Sequence, residues 1–171
     1  MLRPIDLYGM WYARAISARL APMLLRGLPM ILIAGVFFSL RTPPTLLNGV
    51  CWLAATGAAL LMSAALTTLL TISLLYTISG DGLLRIVPPI VFALSGMLVP
   101  LPLMPGWLQN TLRFLPFSGL IDVPFRLYLG HLLPSQFPVL FLHQLLWKAV
   151  FIAAGRYALA RALRRMVIQG G

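Results

Sequence analysis

The stretch LLNGVCWLAATGAALLMSAALTTLLTISLLYTIS, residues 46–79, runs without one charged side chain. At about 1.5 Å of rise per helical residue, roughly twenty such residues cross the hydrocarbon of a bilayer, so this run is longer than a single crossing requires. A membrane span is expected at residues 50–74, the remainder being tilt or interfacial extension. The whole chain shares this character: of 171 residues, 60% are hydrophobic and 9% charged, where an ordinary soluble domain carries about 25% charged residues. Water cannot be the solvent for most of it. The expected fold class is all-α, a single polytopic membrane domain over residues 1–171 with about four transmembrane helices.

Working outward toward the N-terminus, residues 20–40 form the preceding span if Arg26 snorkels to the headgroups, and Arg41, Pro43 and Pro44 end it. Ahead of it, RPIDLYGMWYARAISAR, residues 3–19, reads as an amphipathic helix in the membrane surface, with Pro4 in its first turn. At about 100° per residue, Ile5, Tyr8, Tyr12 and Ile16 fall on one side and Arg3, Asp6, Arg14 and Ser17 on the other. Such a helix serves either as an interfacial anchor or as a docking surface for a cytoplasmic partner.

Toward the C-terminus, Ser79, Gly80, Asp81 and Gly82 predict a turn, with Arg85 marking its side. Pro88, Pro89, Pro100, Pro102 and Pro105 rule out one straight helix through the next apolar segment, so a span is expected over residues 86–99 only. Residues 100–133 are too polar for lipid and too apolar for an ordinary loop. They are expected to form short re-entrant or interfacial helices at the outer surface, with Trp107 and Tyr128 at headgroup level. The last span is expected over residues 137–155, followed by a basic helical tail, residues 156–171.

Small side chains in the first-quoted stretch, Ala54, Ala58, Ala59, Ser63, Ala64, Thr67, Thr68 and Thr71, predict close packing against neighbouring helices. Nine arginines (Arg3, Arg14, Arg19, Arg26, Arg85, Arg156, Arg161, Arg164 and Arg165) fall on one side of these spans, against Arg41, Arg113 and Arg126 on the other. The positive-inside bias then puts both termini in the cytoplasm. The net charge of +10 belongs to these flanking residues, so no nucleic-acid partner is expected.

The chain has no Glu and three Asp, too few for paired-carboxylate catalysis. Its single Lys, Lys148, sits in WKAV inside an apolar span and belongs to no phosphate-cradling loop, so the chain does not bind and hydrolyse ATP by that route. Lys148 is explained by snorkelling or by contact with a substrate or lipid phosphate, and His143 by a neutral ring hydrogen-bonded to a neighbouring helix. ALSG at 93–96 invites a serine-protease reading with His143, but Ala93 stands where a Gly is usual. The lone Cys51 permits neither a disulfide within the chain nor a multi-cysteine metal site, and no cofactor is expected. Arg3, Arg14, Arg19 and Arg26 interrupt any cleavable leader.

The order of features in LSGMLVPLPLMPGWLQ and RFLPFSGLIDVPFRLYLG, residues 94–109 and 113–130, resembles the permease subunits of bacterial ABC-2 type exporters, the ABC-2 family transporter proteins. HQLLWKAVFIAAGRYALARALRRMVIQGG, residues 143–171, and LRPIDLYGMWYARAISARL, residues 2–20, extend the resemblance over nearly the whole chain. It implies a subunit of the bacterial cytoplasmic membrane that pairs with a second permease, or with itself, and with a separate cytoplasmic ABC ATPase. The N-terminal helix would receive motion from that ATPase, with Asp6, Tyr8 and Arg14 as contacts. Pro100, Pro105, Trp107, Pro116, Phe117, Pro124 and Gly130 would form an outer gate. Family members usually have six spans, and the region before Met1 that would hold the first two is not in this sequence. A truncated, non-transporting remnant or a structural partner in a membrane assembly is therefore the alternative.

Overall fold

The computed structural model describes residues 6–76 and 81–169; side chains at positions 81, 83, 84 and 165–169 stand outside that description. Arg3, Pro4 and Ile5 of the expected surface helix, Ser79 and Gly80 of the expected turn, the Arg165 side chain, and residues 170–171 of the basic tail accordingly lie outside it. Every regular element among the described residues is helical.

Helix α1 (Leu7–Pro22) does not stop where the surface helix was expected to end. It passes through a π turn (Met23–Gly27) directly into α2 (Leu28–Phe37), giving one apolar rod, Leu7–Phe37, of 31 residues. The cause of the wide turn is local: neither Pro22 nor Pro29 can donate a backbone hydrogen bond, and the π geometry absorbs the interruption without breaking the helix.

The next rod is α3 (Leu46–Ser73), extended by a 3-10 turn at Leu74–Tyr76. Thr45 starts it: its backbone is extended, and its hydroxyl oxygen accepts from the Asn48 amide at 3.1 Å, satisfying one of the orphan donors of the first turn. The hydroxyl also donates to Asn48 Oδ1 at 2.7 Å, while Asn48 Nδ2 donates to the Leu127 carbonyl at 3.1 Å.

α3 is the centre of the molecule. One face, including Ala55, Ala58, Met62 and Ala65, is buried, and it packs most extensively on α8 (Phe137–Gln169), with α1, α6 (Phe117–Leu120) and α7 (Asp122–Tyr128) also against it. Small residues let these backbones approach where lipid supplies no hydrophobic drive.

The helix at the expected third span, residues 86–99, starts and ends five residues earlier. α4 (Asp81–Leu94) has 14 residues, about 21 Å of helix, and the chain turns at Ser95–Val99 instead of continuing helical to Val99. Gly96 supplies that turn with a φ of +86°, and a Cβ there would stand 2.7 Å from Leu101 Cδ1. Among the described residues, three helical stretches are long and apolar enough to cross a bilayer: Leu7–Phe37, Leu46–Tyr76 and Pro134–Arg164.

Between α4 and α8 lie only short pieces: a 3-10 turn (Leu101–Leu103), α5 (Gly106–Phe114), α6 (Phe117–Leu120), α7 (Asp122–Tyr128) and a 3-10 turn at Pro134–Gln136. Prolines set the breaks, with Pro105 and Pro116 each standing immediately before a helix. This segment docks at the Thr45 end of α3, where Cys51, Ala55, Val123 and Leu127 make one core cluster with Trp52 and Phe137 packed on it. A second cluster, Tyr8, Ile72 and Leu159, closes the other end. Cys51 and Ile72 are about 30 Å apart along the helix, close to the hydrocarbon thickness of a bilayer.

Candidate functional site

The face of α3 turned away from α8 carries Trp52, Thr56, Ala59, Leu60, Ser63, Leu66, Thr67 and Leu70, a stripe at helical three- and four-residue spacing. It forms one wall of a cavity of about 970 Å³, bordered by Val87 and Val91 of α4 and Ser95 just after it, by Leu120, Ile121 and Pro124 near α6 and α7, and by Arg19, Met23 and Ile31 of the first rod. Most of the lining is hydrocarbon. Thr56, Ser63 and Thr67 place hydroxyls along the α3 wall, but those of Thr56 and Ser63 turn back to the Trp52 and Leu60 carbonyls, at 2.8 and 3.0 Å.

Arg19 is the one charged residue in this lining among the described residues. Its guanidinium donates to the Ala15 carbonyl at 3.0 Å and to Thr67 Oγ1. No carboxylate meets it among the described residues: Asp6 pairs with Arg156 at 3.4 Å and Asp122 with Arg126 at 3.5 Å.

At the Ile72 end, α1 is fastened to the other rods by aromatic side chains. Tyr8 is 3% exposed, and its ring lies against Gly155 so closely that a Cβ there would stand 2.7 Å from Tyr8 Cε2. Arg156 lies over the same ring at 5.5 Å, and the Tyr12 hydroxyl donates to the Leu61 carbonyl at 3.1 Å. Tyr76, from the end of α3, donates to the Ala158 carbonyl of α8. Of the three residues expected to touch a cytoplasmic partner, Tyr8 is thus turned into this chain's own packing, Asp6 is exposed and ion-paired, and Arg14 is exposed.

The expected gate residues do not share one place. Pro124 lines the cavity, Pro116 is buried and Phe117 half-buried at the start of α6, and Pro100, Pro105 and Trp107 are exposed. Gly130 ends α7 with a φ of +75°, facing Pro44, whose Cγ would be 2.6 Å from a Cβ at that position. Nearby, the Tyr128 hydroxyl donates to the Arg41 carbonyl at 2.6 Å. These contacts tie the short-helix segment to the loop ahead of α3.

His143 and Trp147, one turn apart on α8, both reach the Phe114 carbonyl, at 2.8 and 3.1 Å. A carbonyl oxygen only accepts, so His143 Nε2 carries a proton in this contact. Ser95 donates to the Phe92 carbonyl instead, so the paired nucleophile and base of a serine protease are not assembled. Lys148 is half-buried and has no hydrogen bond or ion pair among the described residues.

Two groups were missed by sequence reasoning. Gln144, fully buried, donates to the Gly119 carbonyl at 2.7 Å and to the Ala55 carbonyl at 3.1 Å, joining α8, α6 and α3; its Oε1 has no partner among the described residues. A lone amide inside an apolar helix was the available signal. Arg19 had been read only as a topology marker.

In α7, burial pushes the Asp122 carboxyl upward from the ordinary carboxylate range, opposed by the nearby Arg126 and Arg113 charges. Among the described residues no His, Cys or Asp cluster could hold a metal ion.

The family model described as ABC-2 family transporter protein matches residues 1–170. No curated protein and no solved structure matches the chain. With long apolar rods around a central helix and a family match over essentially its full length, the chain belongs to the ABC-2 family of transporter membrane proteins.

Proposed function

We propose that this chain is the membrane-spanning permease subunit of an ABC-type exporter, contributing a translocation path that a separate cytoplasmic ATPase subunit drives. The observation that carries the reading is the match of the family over residues 1–170, in a fold whose central helix turns one face to packing and the other to a cavity of about 970 Å³. A second permease copy, identical or related, completes the path. The broad apolar surface of α2, where Val36, Phe37 and Phe38 are each more than three-quarters exposed, gives it lipid or protein to meet.

The orientation proposed is both termini cytoplasmic in a bacterial inner membrane, as the arginine distribution requires. On that orientation the exposed side of α1, with Arg14, is offered to the ATPase, and the short helices α5 to α7 lie at the outer face as a gate. Asp6 and Tyr8 act through Arg156 and Gly155, transmitting displacement of α1 to α8.

Mild extraction of the affinity-tagged chain from its native membrane tests this reading. A nucleotide-binding subunit is expected to copurify, and chemical crosslinks from it are expected at α1. Its persistent absence from extracts in which the chain stays folded would favour the non-transporting remnant instead.

A further inference from the structure

Among the described residues, the cavity beside α3 contains a charge without a counter-charge. Arg19 projects among hydrocarbon side chains, and its hydrogen bonds go to neutral oxygens, the Ala15 carbonyl and the Thr67 hydroxyl. A guanidinium has five N–H donors, so these two bonds leave about three unspent. A buried or half-buried cation in apolar surroundings is costly unless an anion and hydrogen bonds compensate it. Of the three aspartates, Asp6 and Asp122 are engaged elsewhere, with Arg156 and Arg126, and the Asp81 side chain lies outside the described residues. The unspent donors are open to an anion from outside the chain.

Three features define that anion. One cation calls for one negative charge. The remaining donors of a planar fork match the two oxygens of a carboxylate. The polar lining beside Arg19 is also small, since only Thr67 lies in hydrogen-bonding contact with it and the next hydroxyl along the wall, Ser63, is bonded to its own helix. A bulky polar headgroup would leave its own hydrogen-bonding groups unsatisfied there. Beyond Thr67 the wall runs through Leu66, Leu60 and Ala59 to Trp52. From Thr67 to Trp52 the helix rises about 22 Å, room for one extended hydrocarbon chain.

We propose that this cavity binds a long-chain carboxylate, a single-chain anionic amphiphile, with its head at Arg19 and Thr67 and its tail along α3 toward Trp52. That such a molecule is the cargo rests on the permease reading above; that it binds does not.

The test uses the purified full chain in nanodiscs of zwitterionic lipid, without any ATPase, and brominated palmitic acid at a pH where it is ionised. Bromine near Trp52 quenches its fluorescence, and a Trp52→Phe variant isolates that signal from the other tryptophans. The acid is expected to half-saturate the Trp52 signal at a concentration at least about tenfold below that of its methyl ester, the loss of one charge-assisted contact. Arg19→Gln is expected to erase the difference between acid and ester, and Arg19→Lys to restore part of it. Ser63→Phe, which fills the cavity and leaves Arg19 in place, is expected to weaken both ligands while circular dichroism stays unchanged.

Equal binding of acid and ester to the unmodified chain would overturn the proposal. So would an Arg19→Gln variant that binds the acid as well as the parent, or quenching unaltered by Trp52→Phe. Tighter quenching by brominated phosphatidylglycerol than by the acid would give the site to a two-chain phospholipid and also overturn it. Because no transport is measured, binding without ATPase copurification would leave this site standing and remove only its role as a cargo site.

Discussion

The amide nitrogen of Gln144 donates to the backbone carbonyl of Gly119 at 2.7 Å, and the glycine leaves the approach uncrowded: a Cβ at position 119 would lie 3.1 Å from Gln144 Cγ and 3.3 Å from Met62 Cε. One residue of α8 thereby holds both the α6 corner and, through the Ala55 carbonyl, the central helix. Gln144→Leu is expected to lower stability by about 1 kcal/mol, the size of a polar contact between membrane helices, and Gly119→Val by more because it also forces α6 outward. Denaturation in mixed micelles, followed by circular dichroism, measures both.

The tightness of the Tyr8 contact can be read by glycine substitution. Gly155→Ala places a methyl group against the Tyr8 ring at 2.7 Å, whereas a Cβ at Gly57 meets nothing within 4 Å. Gly155→Ala is expected to destabilise the chain by about 1–3 kcal/mol, as overpacking does. Gly57→Ala is expected to be neutral or stabilising by up to about 1 kcal/mol through helix propensity. Equal effects at both positions would remove the tight Tyr8 packing from the account.

Asp122 sits in the short-helix segment, outside the long spans, with its carboxyl pushed upward by burial. A raised value in the folded state means that the folded chain binds more protons than the unfolded one across that interval. This contribution to stability is therefore present below the ordinary aspartate value, about 3.9, and is lost as pH rises through the raised value. Thermal unfolding followed over that acid range is expected to show a downward component with rising pH that Asp122→Asn lacks. Asp122→Asn also removes the charge facing Arg126, so its own unfolding temperature serves as the baseline.

Much of the architecture was legible because membrane solvation leaves coarse marks. Long uncharged runs are visible without knowing any contact, and the small residues of α3 announced a packed helix. Boundaries set by local backbone were harder. The sequence pattern separated a surface helix from the first span, but Pro22 and Pro29 are absorbed by a π turn and the rod is continuous. At Gly96 the reverse holds: an apolar run looked long enough for a span, and a turn with positive φ ends the helix at Leu94.

The site was less legible than the fold. Ser63 and Thr67 stand with the alanines as expected packing residues and Thr56 carries no expectation, because composition does not say which side of a helix faces a neighbour and which a cavity. Arg19 looked like one more flanking arginine until the cavity placed it among Met23, Ile31 and Leu66. His143 was expected to bond a neighbouring helix, and its partner is the last carbonyl of α5, a group with no side-chain signature at all.

The central claim, a permease powered by another subunit, is tested most directly by ATP-dependent transport in proteoliposomes containing the chain with and without its copurified ATPase. Uptake or release of a brominated long-chain carboxylate on ATP addition is expected only when both are present, and is expected to fall severalfold in Arg19→Gln. ATP-independent flux through the chain alone, or no flux of any amphiphile with the ATPase bound and hydrolysing ATP, would contradict the account.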